Sequence, residues 1–285
     1  MVLRTLIVLA GLAVAPALTS PAAAWDVVGH RIAAAVADRL LTPDALPVVR
    51  ELLTAEGAAT LADVSNWADT VRAARPETAG WHFVAIPFAA TAYDPQRDCP
   101  GGNCLVARID QLRLLLADRK ADPKLRGEAL KWLVHLVADL HQPMRCIDNG
   151  DRAGSERKIR FFGRPTNLLR IWDSSILERL GRPDRIEARL VEAVTRDDAR
   201  LWSDGSVADW AMESHDLARR VAYAPLPRDN PDLGQNYFGP ASEAVQHQLL
   251  RAGVRIAAVI NVALRRDSKP WWQLWSGPEH KTDTR

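Results

Sequence analysis

The sequence predicts an all-α protein, on three observations. Apolar residues recur at helical spacing through most of the chain, and no segment shows a sustained apolar–polar alternation of the kind strands need. Punctuating residues such as Pro43, Pro76 and Gly80 fall where the periodic segments end.

In chain order, Val27 to Leu41 is a helix with Val28, Ile32, Val36 and Leu40 on one stripe, stopped by Pro43. Pro47 to Leu61 gives short helices, and Leu61 to Arg75 another segment closed by Pro76 and Gly80. Trp81 to Pro87 runs extended into a loop with Cys99 and Cys104. Leu105 to Leu116 and Leu125 to His141 are two long helices. From His141 to Trp172 the composition turns to Gly, Asp, Arg and Asn, a surface excursion of loop and hairpin with Lys158 to Phe162 as its one strand. Thr166 to Leu180, Arg185 to Thr195, Val207 to Tyr223 and Pro240 to Leu264 complete the helical body.

Residues 1–24 carry a single cation, Arg4, then the apolar run Leu6 to Leu18 and Ser20-Pro21-Ala22-Ala23-Ala24. That is the pattern of a secretory signal with a small-residue cleavage site, so the expected location is secreted or periplasmic, with no stable membrane insertion after cleavage. The mature chain is expected to begin at Trp25, with one helical domain over 25–268 and a Trp-containing tail over 269–285; no protein partner is implied. Of the 37 basic and 35 acidic side chains of the 285-residue chain, removal of Arg4 leaves 36 and 35, a near balance that does not suggest tight salt-driven duplex binding. Cys99 and Cys104 bracket Pro-Gly-Gly-Asn and read as a local disulfide in an exported protein, leaving Cys146 over. Trp271, Trp272 and Trp275 either touch a membrane interface or partner, or fold back over an apolar patch of the body.

The most informative stretch is Lys131 to Pro143. His135 and Asp139, at i and i+4, project from one face of a helix otherwise covered by Leu133, Val134, Leu136, Val137 and Leu140. A carboxylate in such surroundings needs a partner, because an isolated buried charge is too costly. The pair suits zinc, which takes imidazole nitrogen and carboxylate oxygen. It also fits a His–Asp hydrogen bond that completes a core.

Other places extend the pattern: Trp25 with His30, Asp69-x-x-Arg72, Trp81-His82-Phe83, and Thr166-Asn167 followed by Trp172-Asp173. In this order the chain resembles the zinc-dependent, single-strand-specific nucleases of the fungal S1/P1 type, relatives of the zinc phospholipases C, from Trp25 to about Leu264. Asp139-Leu140-His141-Gln142-Pro143, Phe162-Gly163 and Trp210-Ala211-Met212-Glu213-Ser214 support the likeness.

The resemblance implies a nearly all-α fold and hydrolysis of single-stranded DNA or RNA, or of nucleotides, to 5′-phosphates. Asp69, His82, His135 and Asp139 would hold one zinc. Trp25, through its free amine and carbonyl, would hold a second with His30, with Asp139 as the bridge. An α-amino group has a pKa of about 7.7 to 8.0 and yields its proton to a metal far more readily than lysine. The third zinc of the family has lost two ligands here, since its positions are Arg145, Leu169 and Asp173. Two ions are therefore expected, with Asp69 orienting the attacking water, Arg72 one turn away donating to phosphate oxygens, and Arg145 supplying charge where the third ion is missing. Phe83 is placed either to stack on a base or to fill the core behind the metal. A weak zinc-binding relative that holds a phosphorylated ligand, and a phospholipase C-like phosphodiesterase, are the alternatives.

Overall fold

The computed structural model describes residues 25–227, 232–266 and 270–275. The expected signal segment and residues 269 and 276–285 of the tail lie outside the described residues. The helices are α1 (Val27–Arg39), α2 (Ala45–Thr54), α3 (Leu61–Val64), α4 (Trp67–Val71), α5 (Pro95–Asp98), α6 (Leu105–Ala117), α7 (Pro123–Leu140), α8 (Leu168–Arg170), α9 (Ile176–Leu180), α10 (Pro183–Ala193), α11 (Arg196–Trp202), α12 (Val207–Leu217) and α13 (Gln235–Leu264). Tight 3-10 turns occupy Pro76–His82 and Pro143–Cys146, and π-helical turns occupy Ile171–Ser175 and Ala218–Tyr223. The fold is all-α, with one small sheet in the excursion.

Helix α7 is the axis of the molecule. Asp122 caps it through Lys124 N, Pro123 supplies the preset φ of its first position, and every residue from Ala129 to Leu140 is buried. Helix α6 packs along it on one side and α13 on another, and α1 packs along α13. The α1–α13 crossing is close because Gly253 has no side chain: a Cβ there would stand 2.4 Å from Val36 Cβ and 2.8 Å from the Ala33 carbonyl oxygen. Gly253→Ala is therefore expected to destabilise the fold by about 1–3 kcal/mol despite its better helix propensity, because overpacking outweighs the ~1 kcal/mol gained in the helix. Denaturant titration that finds the variant as stable as the parent would show that the helices separate freely.

Asp38 on α1 ties down α3, accepting from Leu61 N at 3.0 Å and Ala62 N at 3.3 Å. Burial pushes its carboxyl up to about 6 in spite of those two bonds. The folded protein thus keeps the Asp38 proton up to about pH 6, whereas the unfolded chain releases it near about 3.9. Between those values the native state binds more protons, so stability falls as pH rises and levels off above about pH 6. Asp38→Asn should remove about 1–2 kcal/mol of that slope after solvent screening. Unfolding free energies of both proteins from pH 4 to 7 check it, and identical slopes would count against it.

The sheet has order β2-β1-β3, with β1 (Lys158–Phe161) antiparallel to β2 (Arg164–Asn167) and parallel to β3 (Asp232–Leu233). The helix expected from Thr166 therefore starts only at Leu168, after Asn167 accepts from Arg170 N at 2.8 Å. Strand β2 escapes the sequence pattern because it is four residues long and holds Pro165, which an edge strand tolerates. Helix α11 was unexpected, although its capping box of Thr195 and Asp198 is visible in the sequence. Helix α13 starts at Gln235 and contains Pro240 rather than beginning there.

Cys99 and Cys104 are bonded, with Cα atoms 5.3 Å apart, and Cys146 is buried and free. Residues 270–275 fold back on the body. Trp271 and Trp275 are buried, Trp275 Nε1–H donates to the Arg39 carbonyl at 3.2 Å, and Arg196 donates to the Trp275 carbonyl at 2.6 Å. Among the described residues no helix is long and apolar enough to cross a membrane.

Candidate metal centre

Five side chains from four elements meet over the C-terminal half of α7. That helix contributes His135 and Asp139, α1 contributes His30, α4 contributes Asp69, and the 3-10 turn Pro76–His82 ends on His82. The Asp139 carboxylate is the hub. Its Oδ1 lies 3.3 Å from His30 Nε2, and its Oδ2 lies 2.9 Å from His82 Nδ1 and 3.3 Å from His135 Nε2. Asp69 Oδ1 is 3.8 Å from His135 Nε2 and 3.9 Å from an Arg72 guanidinium nitrogen.

The backbone sets the imidazoles. His135 Nδ1 faces the Ser65 carbonyl at 2.8 Å and His30 Nδ1 faces the Asp26 carbonyl at 3.3 Å. A carbonyl oxygen only accepts, so both Nδ1 atoms carry hydrogen and each neutral ring presents a lone pair at Nε2. The two rings stack in parallel, centroids 4.0 Å apart. His30 Nε2, His82 Nε2, His135 Nε2, Asp139 Oδ1 and both Asp69 carboxylate oxygens are buried without hydrogen-bond partners. Orphaned buried acceptors are rare because each forfeits its hydration, and here they converge. Two overlapping groups, His30–His135–Asp139 and Asp69–His82–His135, each bring their ligand atoms within 4.8 Å of one another. The donor set of imidazoles and carboxylates fits a divalent ion such as zinc.

Charge balance points the same way. Burial alone would raise the Asp139 carboxyl, yet the imidazoles around it, His135 foremost, hold it well below the ordinary range. Burial likewise opposes a proton on His135, and the Asp139 carboxylate outweighs burial, so that ring's proton affinity is raised. Burial wins at His82, whose proton affinity falls. The cluster holds a fully buried anion ringed by three imidazoles, so it favours a cation in its midst.

The flank of the cluster is built differently. Asp173 is buried on the π turn Ile171–Ser175, where its Oδ1 accepts from Gln142 Nε2 and its carbonyl accepts from Asp26 N at 3.0 Å. Burial pushes its carboxyl up to about 7, against the pull of the Arg145 charge. Arg145 is buried in the 3-10 turn after α7. Burial and the Arg145 charge together make Arg72 less basic than an ordinary guanidinium, so the two arginines and Asp173 share one electrostatic neighbourhood. Leu169 is buried one turn before Asp173.

The remaining expected residues divide. Trp25 is fully buried at the entrance to α1, its indole N–H donating to the Ala138 carbonyl at 3.1 Å. Phe83 is 42 % exposed, so it lies at the surface rather than in the core behind the cluster. His141 is turned away, as its place two residues past Asp139 requires, with Nδ1 on the Val137 carbonyl and Nε2 facing Arg255 at 2.9 Å. Sequence reasoning gave no role to Gln142, which stands beside Asp173 and was visible in the Asp-Leu-His-Gln-Pro stretch. It also gave none to Ser65, which acts through a backbone carbonyl and leaves no side-chain signal.

The profile of the S1/P1 nuclease family matches residues 25–265, a span that includes every residue of this cluster. The chain belongs to the S1/P1 nuclease family. Endonuclease 3 of Arabidopsis thaliana is 28% identical over 269 residues, covering 86% of this chain and 90% of the relative. Nuclease S1 of Aspergillus oryzae is 24% identical over 273 residues, covering 86% and 93%, and Nuclease P1 of Penicillium citrinum is 24% identical over 263 residues, covering 83% and 97%. As a member of the S1/P1 nuclease family the chain is a hydrolase of phosphodiester bonds.

Proposed function

We propose that this S1/P1 nuclease family member is an exported, zinc-dependent phosphodiesterase that cuts single-stranded DNA or RNA to leave 5′-phosphates, using two metal ions. The observation that carries this reading is the convergence of unpartnered His30, His82, His135, Asp69 and Asp139 atoms in one buried place. Asp69, His82, His135 and Asp139 would hold one ion, and His30, Asp139 and the amine and carbonyl of Trp25 the other. Zinc, when bound, would supply positive charge to the phosphoryl group and lower the pKa of a water it holds to about 7.

The protein's own groups do the rest. Asp69 accepts a hydrogen bond from the attacking water and so aims it. Arg72, 3.9 Å from Asp69, donates to the non-bridging phosphate oxygens as charge builds on them. Arg145 holds positive charge on the Asp173 side, where the leaving oxygen departs. Phe83 offers a surface ring on which a base stacks, contributing about 1–3 kcal/mol without demanding a sequence.

The test uses mature protein beginning at Trp25. It should carry two zinc ions per chain by elemental analysis and hydrolyse single-stranded DNA only while they are bound. A protein with residues retained before Trp25 should bind one ion and lose about 10²-fold or more in rate, because its first amine is no longer free. Three tight ions, or none, would overturn the two-ion reading. Equal metal content and rate in the two proteins would remove Trp25 from the site.

A further inference from the structure

The positive charge of this chain is unevenly placed. Lys and Arg outnumber Asp and Glu by only 37 to 35 over the whole sequence, yet by nine to four between Arg157 and Arg189. One of those four acids is the buried Asp173, while eight of the nine cations are exposed. The segment comprises the β1–β2 hairpin, the π turn of Asp173, α9 and the first part of α10. Asp173, near its middle, flanks the metal centre, with its carbonyl accepting from Asp26 N at 3.0 Å, and the chain leads on from there through α9 and α10. Arg179 lies six residues past Asp173 in continuous helix, about 9 Å along the axis.

Two local features shape this surface. The hairpin turns through Phe162 and Gly163, both with positive φ, +48° and +76°. A two-residue turn of this kind favours Asn-Gly, and a bulky residue in the left-handed region costs about 1–3 kcal/mol. The Phe162 ring is held there edge-on to Phe161 and Phe238, and the Arg179 guanidinium carbon sits 3.4 Å from its centroid. The turn thus accepts strain to seat an aromatic ring beneath an exposed guanidinium, whose outer face is a stacking surface for a base. The second feature is the spacing of Arg182, Arg185 and Arg189, which places them on one side of α10. They line an open concavity of about 690 Å³ floored by Leu180 and Ile186.

Counter-charges are few. Arg182 pairs with Asp184 at 2.7 Å, an exposed pair that exchanges at little cost. Among the described residues no acid lies within 4.0 Å of Arg179, Arg185 or Arg189. Exposed guanidiniums in a row, starting about 9 Å along the helix from Asp173 and ending in a concavity, match the backbone of a polyanion.

We propose that Arg179 on Phe162, continued by Arg182, Arg185 and Arg189, forms a track that holds single-stranded nucleic acid beyond the cleft. This deepens the proposed function and rests on its nucleic-acid substrate. The track adds affinity for long strands through phosphate contacts and one stacked base. It adds nothing for a dinucleotide, which ends inside the cleft.

The test compares the zinc-loaded mature protein with the triple variant Arg179→Ser, Arg185→Ser, Arg189→Ser. Binding of a cleavage-resistant, phosphorothioate single-stranded 30-mer is measured by fluorescence anisotropy from 50 to 200 mM salt. The variant should bind about 10-fold or more weakly at low salt, and the slope of log affinity against log salt should fall by about 2, since each lost phosphate contact removes about 0.7. Its hydrolysis of a dinucleotide and its melting temperature should be unchanged. The corresponding triple Lys variant should recover the salt slope, which a purely structural role would not require. Unchanged affinity and slope for the 30-mer overturn the track, as does an equal loss on dinucleotide and 30-mer. Preference of the patch for phosphatidylserine vesicles over the 30-mer overturns it too. A parent protein that binds the 30-mer through these arginines but hydrolyses nothing sinks the proposed activity and leaves the track standing.

Discussion

Asp139→Ala is expected to reduce phosphodiester hydrolysis by at least about 10³-fold and to release both metal ions, the largest effect of any single substitution in the cluster. The expectation follows from its contacts. One carboxylate lies within 3.3 Å of His30, His82 and His135, and it is the group that belongs to both proposed ion sites. Removing a ligand of one ion costs that ion; removing the shared ligand costs two and takes away the carboxylate on which three imidazoles converge. Stability should fall with it. An ion that binds only the folded state stabilises by mass action, about 4 kcal/mol when its concentration is 1,000 times its dissociation constant. Chelator added to the parent should therefore reproduce most of the variant's drop in melting temperature, and chelator added to the variant should change little. Two zinc ions retained in Asp139→Ala would sink the bridging role.

The cluster was largely legible before the structure because its chemistry is written in side chains at helical spacing. His135 and Asp139 fall on one face of a helix whose C-terminal part is otherwise apolar, and that part is buried from Ala129 to Leu140. The other members were legible only as an ordered set of motifs, since no local rule brings Asp69 or His82 to α7. What the sequence did not reveal acts through the backbone or through short elements. Ser65 orients His135 with a carbonyl, a role any residue could fill. Strand β2 has too few residues to show a period and is set by its pairing with β1. Phe83 was ambiguous because a ring beside a ligand serves equally in a core or at a surface, and only its exposure separates the two. The charge row along α10 was present in the sequence but gained meaning only when the hairpin placed Phe162 under Arg179.

Arg145→Ala is expected to lower turnover by about 10²-fold while leaving two ions in place. The loss of one charge-stabilising group commonly costs about 10²–10³ in rate, and Arg145 is not among the residues proposed to hold either ion. Its charge is felt by Asp173 and by Arg72, so all three share one electrostatic neighbourhood although Arg145 sits on the turn that follows α7. If the guanidinium steadies the departing oxygen, the loss must shrink for a nitrophenyl ester, whose leaving group needs little help. The same loss on both substrates would assign Arg145 to positioning the pocket instead. Arg145→His with Leu169→His makes the complementary test, because Leu169 is buried one turn before Asp173 and the two new imidazoles would face that carboxylate. Asp173 would then exchange the Gln142 amide for a third ion, and elemental analysis should read three zinc ions per chain with a faster rate on single-stranded DNA. A folded double variant that still holds two ions would mean that the excursion carrying Asp173 has moved off the cleft. Arg145 would lose its leaving-group role with it.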